Sequence, residues 1–499
     1  MVGALGDLLV DGPMNEPLLI GLDVGTTGVK AVLVDAQLQP LASASRRIPT
    51  QHPHPGWVEQ RGEDVLSAAV DSVAEVLAKA PGEVVACGLD HQGESVIAWD
   101  AQSGEPLSPN VVWQCKRSTN VLERLRAAGH EDEITRRSRL PLDPYFSAGK
   151  LTWMLEELDS VSAARAAGTL RLGTLDAFLS DRLGAGFATD PSTASRMQLS
   201  APGAPDWDPW LCEIFGVPQD ALPSIEDTVG DLGVLQHPSW DQALPLRARL
   251  VDQQASLAGT GCVVPGMVKA TYGTGVFVFA HAGTTVPEGG GLLPTVAWRI
   301  EGVTEYALDG GVFAAGALLE WMSRGLGLAD DPEALAALAR EANDSGGVRV
   351  LPAIAGLGAP WWRPDSRGVI AGLTAASGRA EVARAALEGI AWRVADVFEA
   401  VAERIDVQTL RVDGGLTNDP LLVSLQADAI GVPVEQVTAD ATSLGAALLA
   451  GVGAGVFASI ADAAKLVPVA KRVSPERDAA WRAEERTAWR EFVERAAEL

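Results

Sequence analysis

Two short glycine- and threonine-rich stretches, about 250 residues apart, constrain this chain more than any other feature. In the first, the apolar run Leu18–Leu22 ends at Asp23, and Gly25-Thr26-Thr27-Gly28 turns the chain into a second apolar run, Val29–Val34. In the second, Val268–Ala270 leads through Thr271-Tyr272-Gly273-Thr274-Gly275 into Val276–Ala280. Each reads as strand, tight turn, strand. Backbone N–H groups in such turns point into one concavity that suits phosphate oxygens, and threonine hydroxyls add donors. Taken singly, each is also what an ordinary tight hairpin looks like. Taken together, in two halves of one chain, they suit a nucleotide whose β- and γ-phosphates lie in a cleft between duplicated domains.

The rest of the chain fits that arrangement. With 499 residues it is too long for one ordinary core. Apolar positions at helical spacing predict helices over Gly62–Ala80, Gly316–Arg324 and Arg379–Arg404, and a glycine-rich one from near Ser443 through Gly451. Strands are expected at Val84–Leu89, Ser95–Trp99 and Thr409–Val412. Alternating strands and helices argue for an α/β fold. The expected division is 17–258, 259–473 and a charged C-terminal helix, 474–499, read as a solvated cap.

Composition excludes several classes. Hydrophobic residues make up 47% and charged residues 21%, the profile of a packed chain. Asp and Glu number 65 against 39 Lys and Arg, a net charge of −26. Such a surface repels nucleic-acid phosphates and anionic lipid, so neither is expected as a partner. Cys87, Cys115, Cys212 and Cys262 stand far apart, without a CxxC, so no zinc site or disulfide framework is suggested. No apolar run is long enough to span a bilayer and residues 1–16 lack a secretory pattern, so the expected location is cytoplasmic.

Several acidic positions can carry chemistry. Asp23, at a strand end, can hold Mg²⁺ through water. Asp252-Gln253-Gln254 follows the expected strand Ala248–Val251; a carboxylate there can deprotonate a hydroxyl, or simply open the next helix. Asp413-Gly414-Gly415, with Asn418 and Asp419 behind it, suits an adenosine pocket or a tight strand-to-helix turn. No P-loop competes, because Leu151 follows Gly149-Lys150, and no GxGxxG follows a strand.

At this point the residues carry a resemblance. The chain resembles the FGGY family of carbohydrate kinases, within the actin-like ATPase superfamily, and its glycerol kinase branch above others. The stretches are Gly21–Lys30 (GLDVGTTGVK), Pro55–Gln60 (PGWVEQ), Val111–Arg117 (VVWQCKR), Leu140–Lys150 (LPLDPYFSAGK), Asp252–Gln254 (DQQ) and Thr271–Phe277 (TYGTGVF). They continue with Gly356–Gly372 (GLGAPWWRPDSRGVIAG), Arg384–Ala391 (RAALEGIA), Arg411–Gly415 (RVDGG) and Ser443–Gly451 (SLGAALLAG).

The resemblance implies two ribonuclease-H-like, actin-like ATPase domains around a central cleft, closing on ATP, Mg²⁺ and a small polyol. It implies phosphorylation of a terminal hydroxyl, glycerol to glycerol 3-phosphate in the first instance. It also implies a homodimer or homotetramer. Asp252 matches the catalytic base and Asp23 the metal-associated acid. Thr26, Thr27, Lys30 and Thr274 match phosphate contacts, and Gly316, Glu320, Gly415, Asn418 and Asp419 the nucleotide pocket. Gly93, Glu94, Trp113, Tyr145, Asp252, Gln253 and Phe277 match the polyol site.

Five departures stand out. Glycerol kinases usually carry Arg where this chain has Gly93, and Arg where it has Lys30. Glu320 stands for a Gln, and Asp419 for an Asn. The glycine-rich regulatory loop of some bacterial relatives has no counterpart over Gln236–Leu250. Gly93 frees the volume of a long side chain, which keeps a longer polyol or ketose open as acceptor: erythritol, xylitol or xylulose. A non-metabolic actin-like ATPase is the remaining alternative.

Overall fold

The computed structural model describes residues 16–437 and 440–498. The apolar runs form strands as expected, and the turns between them are tight. Strands β1 (Leu18–Val24), β2 (Gly28–Val34) and β3 (Pro40–Arg47) make an antiparallel meander. Strands β4 (Val84–His91) and β5 (Leu244–Val251) add on parallel, giving the order β5-β4-β1-β2-β3, with Val234–Leu235 at the β5 edge. The second half repeats this path. Strands β6 (Met267–Tyr272), β7 (Val276–Gly283), β8 (Leu293–Ile300), β9 (Val303–Val312), β10 (Thr409–Asp413), β11 (Val434–Val437) and β12 (Val469–Val473) form a sheet in the order β8-β9-β7-β6-β10-β11-β12. Here too the hairpin strands pair antiparallel, and β6, β10 and β11 run parallel. The result is the two-domain α/β architecture of the actin-like ATPases.

Each sheet has its own core. Helix α1 (Gly62–Leu77) buries Val65, Ala69, Val73 and Val76 against the first sheet. It stops before Pro81-Gly82, which cannot extend it. A long helix, Arg379–Ala402, covers the second sheet with Leu387, Ile390, Val394 and Val397. Within the first half, a smaller sheet of Glu59–Gln60, Val96–Asp100, Asn110–Val111 and Leu170–Thr174 packs with its helices into a separate cluster. This unit carries Trp113 and Tyr145.

The halves meet along helix α2 (Asp252–Gly259) and helix α3 (Ala441–Gly453). Helix α3 belongs to the second half by sequence, yet it lies against α2, β1 and β4 of the first. Glycines make this possible. A Cβ at Gly259 would overlap the Ala441 carbonyl, and one at Gly445 the Ala255 carbonyl. Gly21 and Gly88 touch the α3 backbone at Ser443 and Ala446 in the same way.

Two sequence expectations change. The predicted helix over Gly316–Arg324 is α-helical only to Glu320, and Trp321–Gly325 winds into a wider π turn. The C-terminal helix α4 (Ala479–Ala496) is not merely a solvated cap. Trp489, Val493 and Ala496 are buried, the Trp489 indole N–H donates to Asp396 at 3.1 Å, and Arg486 pairs with Glu399. Arg486 is drawn into this contact, whereas Glu484, Glu491, Glu494 and Arg495 stay exposed, which is why the sequence reads as solvated. All four cysteines are free and buried. Among the described residues, no helix is long and apolar enough to cross a membrane.

Candidate active site

Parallel strands deliver the acids. Asp23 on β1 lies level with Asp90 on β4, and His91 lies level with Val251 on β5, immediately before Asp252. On the other side of the cleft, Thr271 on β6 lies level with Asp413 on β10. The C-terminal ends of parallel strands are where open α/β sheets bind ligands, because the chain turns away there and leaves a crevice.

Crowding sets the protonation of these acids. Burial raises Asp252 to about 7, with repulsion from Asp23 and then Glu94 adding to it, while Lys269 pulls the other way. Asp23 is raised to about 6, chiefly by burial. Asp90 is held well above the usual carboxylate range by burial and by its neighbours Asp23 and Asp252. Both Asp90 carboxylate oxygens are buried without a hydrogen-bond partner. Among the described residues, no three Asp, Glu, His or Cys side chains converge into a complete metal site.

The two turns are braced differently. In the first, Gly25 N–H bonds the Gly28 carbonyl at 3.0 Å. The side-chain amide of Gln60 donates to the Thr26 carbonyl at 2.6 Å, and Gln92 bonds both Gln60 and Gly25. In the second, the Thr274 carbonyl accepts from Ala315 at 2.9 Å and Ala317 at 3.0 Å, while Gly316 bonds the Gly273 carbonyl. A Cβ on Gly316 would sit 2.7 Å from that carbonyl, so only glycine fits against the turn. Thr27 and Thr274 are exposed to the cleft, which leaves their hydroxyls available. Lys30 engages Asp440 across 410 positions of sequence, so its ammonium is paired.

The candidate polyol residues converge. Trp113 and Tyr145 stack edge-to-face, with ring centroids 5.5 Å apart. The Trp113 indole N–H donates to Thr26 Oγ1 at 2.9 Å, joining this wall to the first phosphate turn. Glu94 is buried and accepts from Arg196 Nε at 2.6 Å. Gln253 follows Asp252 on α2, and its Oε1 accepts from Lys269 Nζ at 2.7 Å. Phe277 is half-buried on β7, level with Thr271 and Gly311. The room expected at Gly93 is not free: a Cβ there would lie 2.9 Å from Val251 Cγ1, so the valine fills the space beside it.

The candidate nucleotide residues divide. Gly415 and Asn418 are exposed on the short turn after β10, and a Cβ at Gly415 would meet open space. Glu320 is half-buried and pairs with Arg324 at 2.7 Å. Asp419 caps the helix Pro420–Ile430, accepting from Leu421 at 2.8 Å, and pairs with Arg340. Its carboxylate is thus already committed, as the Asp-Pro pair could have announced.

Sequence reasoning missed four residues at the centre. Asp90, one residue past the expected strand Val84–Leu89, has no role in the sequence reading. Lys150, read only as failing a P-loop, is buried with its ammonium on the carbonyls of Glu94 (3.2 Å) and Phe146 (3.2 Å), and on that of Tyr145. Burial lowers its pKa to about 7. Lys269, also buried, donates to Gln253 and to Thr271 at 3.0 Å. Arg196 pairs Glu94 with Asp309. For Lys150 and Lys269 a lone basic residue beside apolar neighbours is the one local signal, since a buried cation demands partners; Asp90 and Arg196 offer none of that kind.

Comparison with known proteins agrees with this geometry. Two actin-like domains, each with a glycine- and threonine-rich turn, and buried acids at the strand ends between them define an ATPase-type phosphotransferase. Residues 18–259 match the N-terminal domain, and residues 268–454 the C-terminal domain, of the FGGY family of carbohydrate kinases. The chain belongs to that family. It is 40% identical over 484 residues to a glycerol kinase of Geobacter sp. (strain M21), covering 95% of this chain and 98% of that one. It is 37% identical to a glycerol kinase of Alcanivorax borkumensis, covering 97% and 99%. Among solved structures, Plasmodium falciparum glycerol kinase with ADP superposes with a TM-score of 0.91 at 27% identity, over 96% of this chain and 98% of that one. A gluconate kinase from Lactobacillus acidophilus, 21% identical, shares the fold with a TM-score of 0.87 over 97% and 99%.

Proposed function

We propose that this chain transfers the γ-phosphoryl group of ATP to a terminal hydroxyl of glycerol, giving glycerol 3-phosphate. The observation that carries this reading is the Trp113–Thr26 hydrogen bond, which sets the wall of an acceptor pocket directly against a phosphate turn. The named glycerol kinases among its relatives support glycerol as the acceptor.

In this mechanism Thr26, Thr27 and Thr274 grip the phosphates from the two domains. Glu94, Trp113, Tyr145 and Gln253 orient the polyol. Asp252 accepts the hydroxyl proton as the oxygen attacks in line; positioning and charge neutralisation carry most of the rate, because the transition state is loose. The orphaned oxygens of Asp90 beside Asp23 fit a divalent cation that arrives with the phosphates, and these two residues would hold Mg²⁺. Bound there, the ion neutralises charge on the phosphates. Closure of the domains excludes water that would otherwise hydrolyse ATP. Gly316, Gly415 and Asn418 would frame the nucleoside, with Glu320 and Asp419 at its margin. We further propose an N-terminal domain over 17–258, a C-terminal domain over 259–473, a cytoplasmic location and a homodimer or homotetramer.

An ATP-coupled assay across C3–C6 polyols and ketoses tests the reading. Glycerol should give the highest kcat/KM. ATP turnover indifferent to any polyol, or a clear preference for xylitol or xylulose, would overturn it.

A further inference from the structure

We propose that Arg196 is a positioning residue that ties Glu94 of the acceptor pocket to Asp309 of the opposite domain, so that polyol binding and closure of the cleft are coupled. The inference deepens the reading above and rests on it for the identity of the pocket.

Arg196 Nε donates to Glu94 Oε1 at 2.6 Å, and its Nη1 lies 3.0 Å from Asp309 Oδ2. Asp309 stands on β9, in the second domain, while Glu94 and Arg196 belong to the first. All three side chains are nearly dry, at 3%, 6% and 7% exposure for Arg196, Glu94 and Asp309. Tyr145 and Phe146 cover the guanidinium at 5.6 and 5.5 Å. The segment that carries Arg196 is itself seated on the second domain, through Ser195 to Thr295 at 3.0 Å. One cation thus serves two buried carboxylates in two domains.

Three features make this more than a structural ion pair. Glu94 is held from both ends, since Lys150 fixes its backbone carbonyl while Arg196 fixes its carboxylate. One guanidinium is shared between two carboxylates in a site shielded from water, with Lys269 acting on Asp309 and Lys150 on Glu94 as the further cations. A polyol hydroxyl donating to Glu94 would give its carboxylate a second partner without adding charge. Finally, Asp309 Oδ1 and Arg196 Nη1 lack well-aligned hydrogen bonds, so the cross-domain limb can still tighten. A ligand that sets Glu94 therefore sets the strength of a contact across the cleft, which is what coupling requires.

The test uses Arg196→Lys, Arg196→Gln, Asp309→Asn and the Arg196→Gln/Asp309→Asn double variant. Affinity for a non-hydrolysable ATP analogue is measured by calorimetry with and without saturating glycerol, together with the KM for glycerol. In the wild type glycerol should tighten analogue binding by about 5- to 100-fold. Asp309→Asn, which keeps its shape, should lose most of that enhancement and raise the glycerol KM. Arg196→Gln should do the same, Arg196→Lys should recover part of it, and the double variant should be no worse than the more impaired single one. An enhancement that survives in Asp309→Asn, or losses that multiply in the double variant, would overturn the bridge. If wild type turns over another polyol instead of glycerol, the functional reading fails, and the same cycle run with that polyol decides the bridge separately.

Discussion

Trp113 and Thr26 are joined by one hydrogen bond, 2.9 Å from indole nitrogen to hydroxyl oxygen, although 87 residues separate them in sequence. The bond makes the acceptor wall and the phosphate turn a single piece of structure. Trp113→Phe keeps an aromatic ring against Tyr145 and removes only the donor. A net hydrogen bond of about 0.5–1.5 kcal/mol corresponds to about 2- to 10-fold in an equilibrium constant. Steady-state kinetics should show KM rising for glycerol and ATP together. A change confined to glycerol would mean that the bond does not transmit.

Asp252→Asn removes the proposed base while leaving its size. The kcat should fall about 10²- to 10⁴-fold. Calorimetry should show ATP binding retained, because the threonine turns are untouched. A near-normal kcat would remove Asp252 from the mechanism.

The acidity of Asp252 predicts two pH effects. A base works when ionised, and burial with repulsion from Asp23 sets this group at about 7. Activity should therefore decline as the pH falls through about 7. The stability effect has the opposite sign. The folded-state value lies above the ordinary carboxylate value of 3.8, so folding favours the protonated form. Below that value both states are protonated and the residue is neutral in its effect; as pH rises towards about 7 stability is lost, and above it the full penalty holds. Asp252→Asn should melt higher than wild type at pH 8, with the gap closing towards pH 4.

Thr274→Val preserves the branched shape of the second turn, whose bracing runs through the Thr274 backbone carbonyl. The lost hydroxyl should cost about 1.5–3 kcal/mol of phosphate binding if it serves a charged oxygen. An unchanged ATP KM and kcat would exclude that role.

Trp489 anchors the last helix, with 1% of its surface exposed and its indole on Asp396. Trp489→Ala should destabilise the second domain by about 3–5 kcal/mol. Thermal denaturation would read the loss, and kcat at a temperature where the variant stays folded should be near wild type.

The hairpins, Asp23, Asp252 and Asp413 at their strand ends and the long helices were legible because each is written in contiguous residues; Asp90 was not. Glycine between apolar runs marks a turn whatever the distant chain does. Arg196, Lys150 and Lys269 were not legible, since what makes them important is a partner: Asp309 for Arg196, the Tyr145 and Phe146 carbonyls for Lys150, Gln253 for Lys269. For the two lysines local sequence says that a cation sits beside apolar neighbours, and for Arg196, between Ser195 and Met197, it says less; in neither case does it say what meets the charge. Lys30 shows the same limit, for its charge points to Asp440 near the other end of the chain. Gly93 misled differently: the missing side chain suggested space, while the side chain that fills it, Val251, stands on another strand. Asp419 illustrates a residue whose local chemistry, a helix cap, uses up the group assigned to a ligand.

Where two helices meet main chain to main chain, the spacing between them is set by the backbone and not by side chains that could give way. Gly259 and Gly445 create such a meeting between α2 and α3, with Leu257, Leu444 and Leu448 filling its sides. The joint therefore has no slack: a single methyl group at Gly445 would collide with the Ala255 carbonyl and act as a shim, one helical turn from Asp252.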